Sequence, residues 1–72
     1  MSSDIKASFG KRLKKLRKKR GMTQAVLADY LGLDRSYIAE IEEGKRNPSL
    51  LNLKVIADGF GITLSKLFLR VT

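Results

Sequence analysis

The apolar positions along the chain follow helical spacing, and no stretch reads as a strand. Ile5, Phe9, Leu13 and Leu16 form one stripe, which predicts a first helix from about Ile5 to Arg20, capped by Asp4. Met1 to Ser3 are expected to fray, Gly21 to close the helix and Met22 to pack before Thr23, the cap of a second helix. Leu27, Ala28 and Leu31 share one face of that helix. Gly32 stops it, because glycine adopts the left-handed exit conformation at little steric cost. Leu33 plugs the turn, and Asp34 is suited to cap a third helix in which Ile38 and Ile41 point back at the second. Gly44 ends it. Asn47 is driven to an extended conformation by Pro48, and Ser49 caps a fourth helix, Leu50 to about Gly59, whose inner face is Leu50, Leu53, Ile56 and Ala57. A break follows at Gly59 to Ile62, with Phe60 and Ile62 closing over the core. Thr63 then caps a last short helix with Leu64, Leu67 and Phe68 inward. The sum is an all-α bundle of five helices in a single domain, 1–72, without repeat or linker.

The second and third helices have the packing of a helix-turn-helix. A small residue, Ala28, stands where the two cross, and a branched one, Ile38, fills the gap. Arg35, Ser36, Tyr37 and Glu40 are left facing outward. The same pattern fits an ordinary αα-hairpin, so periodicity leaves both readings open. Four apolar residues, Leu51, Val55, Leu69 and Val71, find no place in the expected core. They read as a self-association patch or as scattered surface hydrophobes.

Charge shifts the balance between those readings. The 72 residues carry 15 Lys+Arg against 7 Asp+Glu, a formal charge of +8 and a pI near 10.2. A small domain this basic calls for a polyanionic partner, nucleic acid or an anionic membrane surface. Eight of the ten residues from Lys11 to Arg20 are basic, and Lys6 is a ninth on the same helix. Such a face can be solvated, membrane-bound or phosphate-binding. Mutual repulsion disfavours the first, and a narrow apolar stripe without Trp disfavours the second. A phosphate-binding face beside a helix-turn-helix fits best.

Cys and His are both absent, which removes disulfides, zinc fingers and His-based catalysis. No nucleophile elbow, Walker loop, dinucleotide loop or EF-hand spacing occurs, so neither an enzyme nor a cofactor is expected. Glu40, Glu42 and Glu43 on one short helix are explained by a charged helix face. No apolar run approaches the roughly 18 residues of a membrane span, and no apolar N-terminal segment resembles a signal peptide. The expected location is the cytoplasm. A chain this short buries a modest core, and oligomerisation is the remaining stabilising device, so a homodimer is expected.

The run T-Q-x-x-L-A-x-x-L-G-L-x-x-S-Y-I-x-x-I-E-x-G-x-R-N-P-S-L-x-x-L, from Thr23 to Leu53, resembles the Cro/C1-type (XRE) helix-turn-helix family of phage repressors and bacterial regulators. The likeness extends from about Phe9 to Phe68. Within that family, L-D-R-S-Y-I followed by E-x-G-x-R-N resembles the dimeric controller proteins of restriction–modification systems. The resemblance implies a lambda-repressor-like fold with the third helix in the major groove of double-stranded DNA. It implies base readout by Arg35, Ser36, Tyr37 and Glu40. It implies phosphate contacts from Gln24, which also braces the recognition helix, and backbone contacts from Arg46 and Asn47; Thr23 and, on the basic first helix, Lys14 and Lys18 are expected to contact phosphate as well. Glu42 is as well explained by local pairing as by any contact with DNA. Two positions depart from the family. Lys54 stands where an apolar core residue is usual and Val55 where a charge is usual, so helix four is rotated or its outer face is an interface. The K-K-L-R-K-K-R block is also denser than usual.

The function expected is a sequence-specific, DNA-binding transcriptional regulator acting as a homodimer on an inverted repeat, with no small-molecule ligand evident. The rivals are an antitoxin or phage-type repressor and, outside DNA binding, a basic protein-interaction or membrane-surface module.

Overall fold

The computed structural model describes residues 4–72, so the expected fraying of Met1 to Ser3 lies outside the described residues. Among the described residues the chain forms five helices and no strand: α1 (Ile5–Lys19), α2 (Gln24–Leu31), α3 (Arg35–Glu42), α4 (Leu50–Phe60) and α5 (Leu64–Leu67). The caps explain the boundaries. Asp4 accepts from the Lys6 and Ala7 N–H groups, Thr23 from Val26, Ser49 from Asn52 and Thr63 from Lys66. Asp34 is the exception. It occupies the cap position of α3 with extended backbone, yet its carboxylate makes no capping hydrogen bond.

The turn between α2 and α3 depends on Gly32, whose φ of 72° lets its own N–H and that of Leu33 close onto the Asp29 and Ala28 carbonyls. Leu33 is half-buried in the turn as expected. The core consists of Phe9 and Leu13 of α1, Leu27 and Ala28 of α2, Ile38 and Ile41 of α3, Ile56, Ala57 and Phe60 of α4, and Leu67 of α5. Phe9 and Phe68 stack with centroids 5.2 Å apart, tying α1 to the C-terminal end.

α1 lies against α3 with no side chain between them at one point. A Cβ on Gly10 would collide with the carbonyl oxygens of Ile41 and Glu42. Glycine there lets two backbones touch, and α1 sits directly behind the C-terminal half of α3.

Three expectations about the apolar pattern are corrected. Ile5 is 56% exposed, because it lies at the very start of α1, one turn before the core begins at Phe9. Leu50 is 75% exposed. The buried row of α4 is Ile56, Ala57 and Phe60, with Leu53 partly buried, and Leu50 points off that row. The helix also does not break at Gly59. It runs through to Phe60, and Gly59 is the point where α4 meets the Leu31 side chain; the left-handed exit is at Gly61. Lys54 accordingly faces outward, its ammonium 2.7 Å from Asp58.

Candidate nucleic-acid interface

Along one side of α3, from its last residue to its first, a line of polar contacts crosses three helices. Arg17 of α1 is 7% exposed and its guanidinium forks onto Glu42, Nε to Oε2 at 2.7 Å and Nη2 to Oε1 at 2.9 Å. Its remaining nitrogen donates to the Met22 carbonyl at 2.8 Å. Glu42 also accepts from the Gln24 amide at 3.0 Å. A carboxylate can only accept, so it draws the amide nitrogen of Gln24 toward itself and turns the amide oxygen outward. That oxygen takes a long 3.4 Å bond from Nη1 of Arg35. Arg35 is exposed on the first turn of α3 and is steadied from behind.

Burial would raise the pKa of Glu42, whose side chain is only 3% exposed. The hydrogen bonds from Arg17 and Gln24, with the charges of Arg17 and Lys14, outweigh burial and hold that pKa below the ordinary value. On Arg17 the bond to Glu42 outweighs desolvation and raises its pKa. Both shifts favour the ionised pair, which is largely removed from solvent. Charge alone puts Arg17 on the basic outer face. The signal against that is its spacing: Arg17 follows Leu13 by four residues and Leu13 follows Phe9 by four, one continuous row.

In front of this line lies an open cleft of about 500 Å³, lined among others by Lys18, Thr23, Gln24, Ala25 and Arg35. The first N–H groups of α2 and two cations converge there, a setting suited to an anionic oxygen. Thr23 caps α2 through its hydroxyl and remains exposed.

The side of α3 that carries Tyr37 and Glu40 is arranged differently. Tyr37, expected to face bases, is half-buried and packs against the core. Its hydroxyl accepts from the Asn52 amide at 2.9 Å, and its ring lies beneath the Arg46 guanidinium at 4.8 Å. Residue 37 falls between the outward face and the α4 side of α3, and α4 claims it. Arg46 also approaches Glu40, Nε to Oε1 at 3.4 Å with both side chains about half exposed. Glu40, which would repel phosphate alone, thus has a counterion that spans it and Tyr37. Arg35 and Ser36 are exposed, as is Asn47 after the helix.

The basic face of α1 divides by residue type. Arg12 donates to the Leu67 carbonyl at 3.2 Å and the Lys66 carbonyl at 2.8 Å, fastening the end of α5. Arg20 donates to the Phe60 carbonyl at 2.8 Å and lies 5.5 Å from the centre of that ring. With Arg17, all three arginines of this stretch are bonded to other parts of the fold. The lysines, Lys6, Lys11, Lys14, Lys15, Lys18 and Lys19, are all exposed.

Of the residues expected to self-associate, Leu51 and Leu69 are 72% and 51% exposed. Val55 is half-buried. Val71 packs against the core instead of lying beyond it, because the chain turns back after α5. Leu50, expected inside, joins Leu51 on the surface. Among the described residues no group of Asp and Glu could hold a metal ion, and no helix is long and apolar enough to cross a membrane.

Two short helices joined at a glycine turn, the second presenting an arginine over an anion-suited cleft, define a helix-turn-helix domain. Residues 13–67 match the model of the helix-turn-helix family HTH_3. Over 67 residues the chain is 55% identical to control protein C.MunI of a Mycoplasma species, spanning 92% of this chain and 90% of that protein. The crystal structure of the restriction-modification controller protein C.AhdI from Aeromonas hydrophila superposes with a TM-score of 0.83 at 43% identity, covering 88% of this chain and 96% of that one. The controller protein C.Esp1396I, solved as a tetramer in complex with its natural 35 base-pair operator, gives 0.83 at 33% identity, covering 97% and 92%. The chain belongs to the HTH_3 helix-turn-helix family, the Cro/C1-type family it resembles in sequence.

Proposed function

We propose that this protein is a transcriptional regulator that binds double-stranded DNA at specific sites as a homodimer, and that it serves as the controller of a restriction–modification system. The observation that carries the DNA reading is Arg35. It stands exposed at the leading end of α3, backed by Gln24, Glu42 and Arg17, above the cleft that Lys18 and the start of α2 form. A planar guanidinium so placed can donate twice to guanine O6 and N7 in the major groove. Ser36 and Glu40 read beside it. Tyr37 acts mainly by holding α3 to α4 and supporting Arg46. Gln24, Thr23, Lys14, Lys18, Arg46 and Asn47 grip phosphates and fix the register. The narrower controller role is supported by the likeness to C.MunI and C.AhdI, both matched over nearly their whole length. The regulator works by occupancy and not by catalysis, in the cytoplasm where the DNA is.

Dimerisation uses the exposed Leu51 and Leu69 with Leu50 and the outer edges of Val55 and Val71. Two copies related by a two-fold axis read inverted half-sites about one helical turn apart, roughly 10–10.5 bp centre to centre. Selection of bound sequences from random duplex DNA is the test, followed by titration of Arg35→Ala on selected and random duplexes over a salt series. Arg35→Ala is expected to lose roughly 1–3 kcal/mol on the selected site and to relax preference at one base pair per half-site. An equal loss on both duplexes would make Arg35 a phosphate clamp. Recovery of no preferred sequence would remove the regulator reading.

A further inference from the structure

The side of α1 turned away from α3 carries a second basic site. After α5 the chain folds back on itself. The Val71 N–H donates to the Phe68 carbonyl at 2.9 Å and the Thr72 N–H donates to Ser8 Oγ at 3.1 Å. This return sets Leu69 and Arg70 against α1, where they line an open cleft of about 200 Å³ with Ser8, Lys11, Arg12 and Lys15. Four of those six residues are cations, and none is acidic. Among the described residues, Lys11, Lys15 and Arg70 take part in no ion pair. Arg12 is held rigidly by its two carbonyl bonds and keeps Nη1 free of them. Ser8 Oγ accepts from Thr72, so its own proton is available to donate.

Two unfavourable features coincide in this cleft. Arg70 has a φ of 67°, the one positive φ at a non-glycine residue among those described. The other left-handed positions, Gly21, Gly32, Gly44 and Gly61, all avoid the clash of a Cβ there. Lys11 and Lys15 are neighbours one turn apart and repel each other, and Arg70 adds a third charge beside them. Glycine at position 70 would relieve both the strain and part of the repulsion. An anion seated in the cleft explains why a strained cation stands there instead.

We propose that this cleft binds a phosphate group, contacted by Lys11, Lys15, Arg70 and the Ser8 hydroxyl, with Arg12 as a fixed positive wall. At 3.6 residues per turn, Lys14 and Lys18 lie about 40° and 80° around α1 from the α3-facing Gly10, and Lys11 and Lys15 about 100° and 140°. The cleft therefore continues the basic band from the interface toward the back of the domain. Its phosphate comes from the DNA backbone flanking the stretch under α3, or is a free phosphate; the first source rests on the DNA reading above.

The test uses the full chain and ¹H–¹⁵N spectra that include the arginine side chains. The probes are inorganic phosphate, chloride at equal ionic strength, the selected duplex trimmed to its bound core, and that duplex extended by about one turn, roughly 10 bp, on each side. Ser8, Lys11 and Arg70 signals moving with the extended duplex but not the trimmed one assign the site to flanking DNA. Saturable movement with phosphate and not with chloride assigns it to a free phosphate. Movement with neither overturns the proposal. Arg70→Gly supplies the second reading. It is expected to raise Tm while weakening whichever ligand moved those signals; for flanking DNA the salt slope falls by about one on the extended duplex and not on the trimmed one. A Tm that drops along with the affinity, or an unchanged affinity, overturns the proposal. If the trimmed duplex does not bind at all, the DNA reading fails, and the phosphate titration still decides whether the cleft is a site.

Discussion

On the side of α1 that meets α3, Gly10 lets two backbones touch and Arg17 is paired with Glu42 with little exposure to water. On the side that faces away, Lys11, Lys15 and Lys19 stand in solvent at one-turn intervals, without a carboxylate partner among the described residues. Both sides are basic, and the chemistry of the cations separates them. A guanidinium is a rigid fork with five N–H donors that can satisfy a carboxylate and a carbonyl together, so it can be buried. An ammonium is a hydrated point charge on a flexible stem and is left to the surface. Net charge therefore overstates the interface. Three of the nine cations of this helical stretch hold the fold together, and the six lysines remain for a polyanion.

The largest effect should come from breaking the pair of Arg17 and Glu42. Arg17→Ala or Glu42→Ala leaves a buried charge without its partner, which costs about 3–5 kcal/mol. That approaches the whole stability of a small domain, so urea titrations should show either variant largely unfolded. Replacing both, Arg17→Met with Glu42→Leu, removes the desolvation cost as well and should fold. In that double variant Gln24 loses the carboxylate that orients it, so discrimination between selected and random duplex should fall although the fold survives. A folded double variant with undiminished discrimination would show that the ion pair serves stability alone.

The same ion pair can be broken reversibly with acid. The Glu42 pKa is lower in the folded chain than in the unfolded one. Its contribution is therefore complete above the unfolded value, about 4.3, and disappears as the pH falls through the lower folded value. Thermal melts below pH 4 should show the loss, and Glu42→Gln should flatten that part of the pH profile.

Gly10→Ala drives a methyl group into two backbone carbonyls that have little room to retreat, and should destabilise by about 1–3 kcal/mol. Arg12→Lys keeps the charge but cannot span the Lys66 and Leu67 carbonyls together, and should cost about 1 kcal/mol. The smallest change in stability belongs to the outer cations. Lys14→Ala or Lys18→Ala should stay within about 0.5 kcal/mol of the parent by urea titration. Each should nevertheless weaken all duplexes alike and flatten the salt dependence by about one unit for every phosphate no longer neutralised.

The helices were legible in the sequence because their boundaries are local events: a Ser, Thr or Asp at each start, a glycine after each of the first four, a stripe between. What stayed hidden depends on partners distant in the chain. Nothing near Arg17 announces that Glu42, 25 residues on, will accept its fork. Tyr37 reads as outward-facing by spacing, and only Asn52, 15 residues away, draws its hydroxyl toward α4. Leu50 fits an apolar row by spacing, and only the packing of α4 shows that the buried row begins later. The leading end of α3, with Arg35 exposed on it, could be placed from sequence, whereas the division of the basic residues into structural arginines and exposed lysines could not.

The bare backbone contact at Gly10 has a mechanical consequence. With no side chain as a cushion, two backbones meet at a hard contact, and α1 cannot move closer to α3 at this point. On the proposed reading, the helix that carries the lysines and the helix that carries Arg35 then meet DNA at a spacing that this contact helps to set before any encounter. When a duplex does not match that spacing, the compliance must come from the nucleic acid, whose bending and groove width vary with sequence. On that reading, base pairs that this protein never touches would enter its choice of site, through how readily they let the helix conform to that spacing.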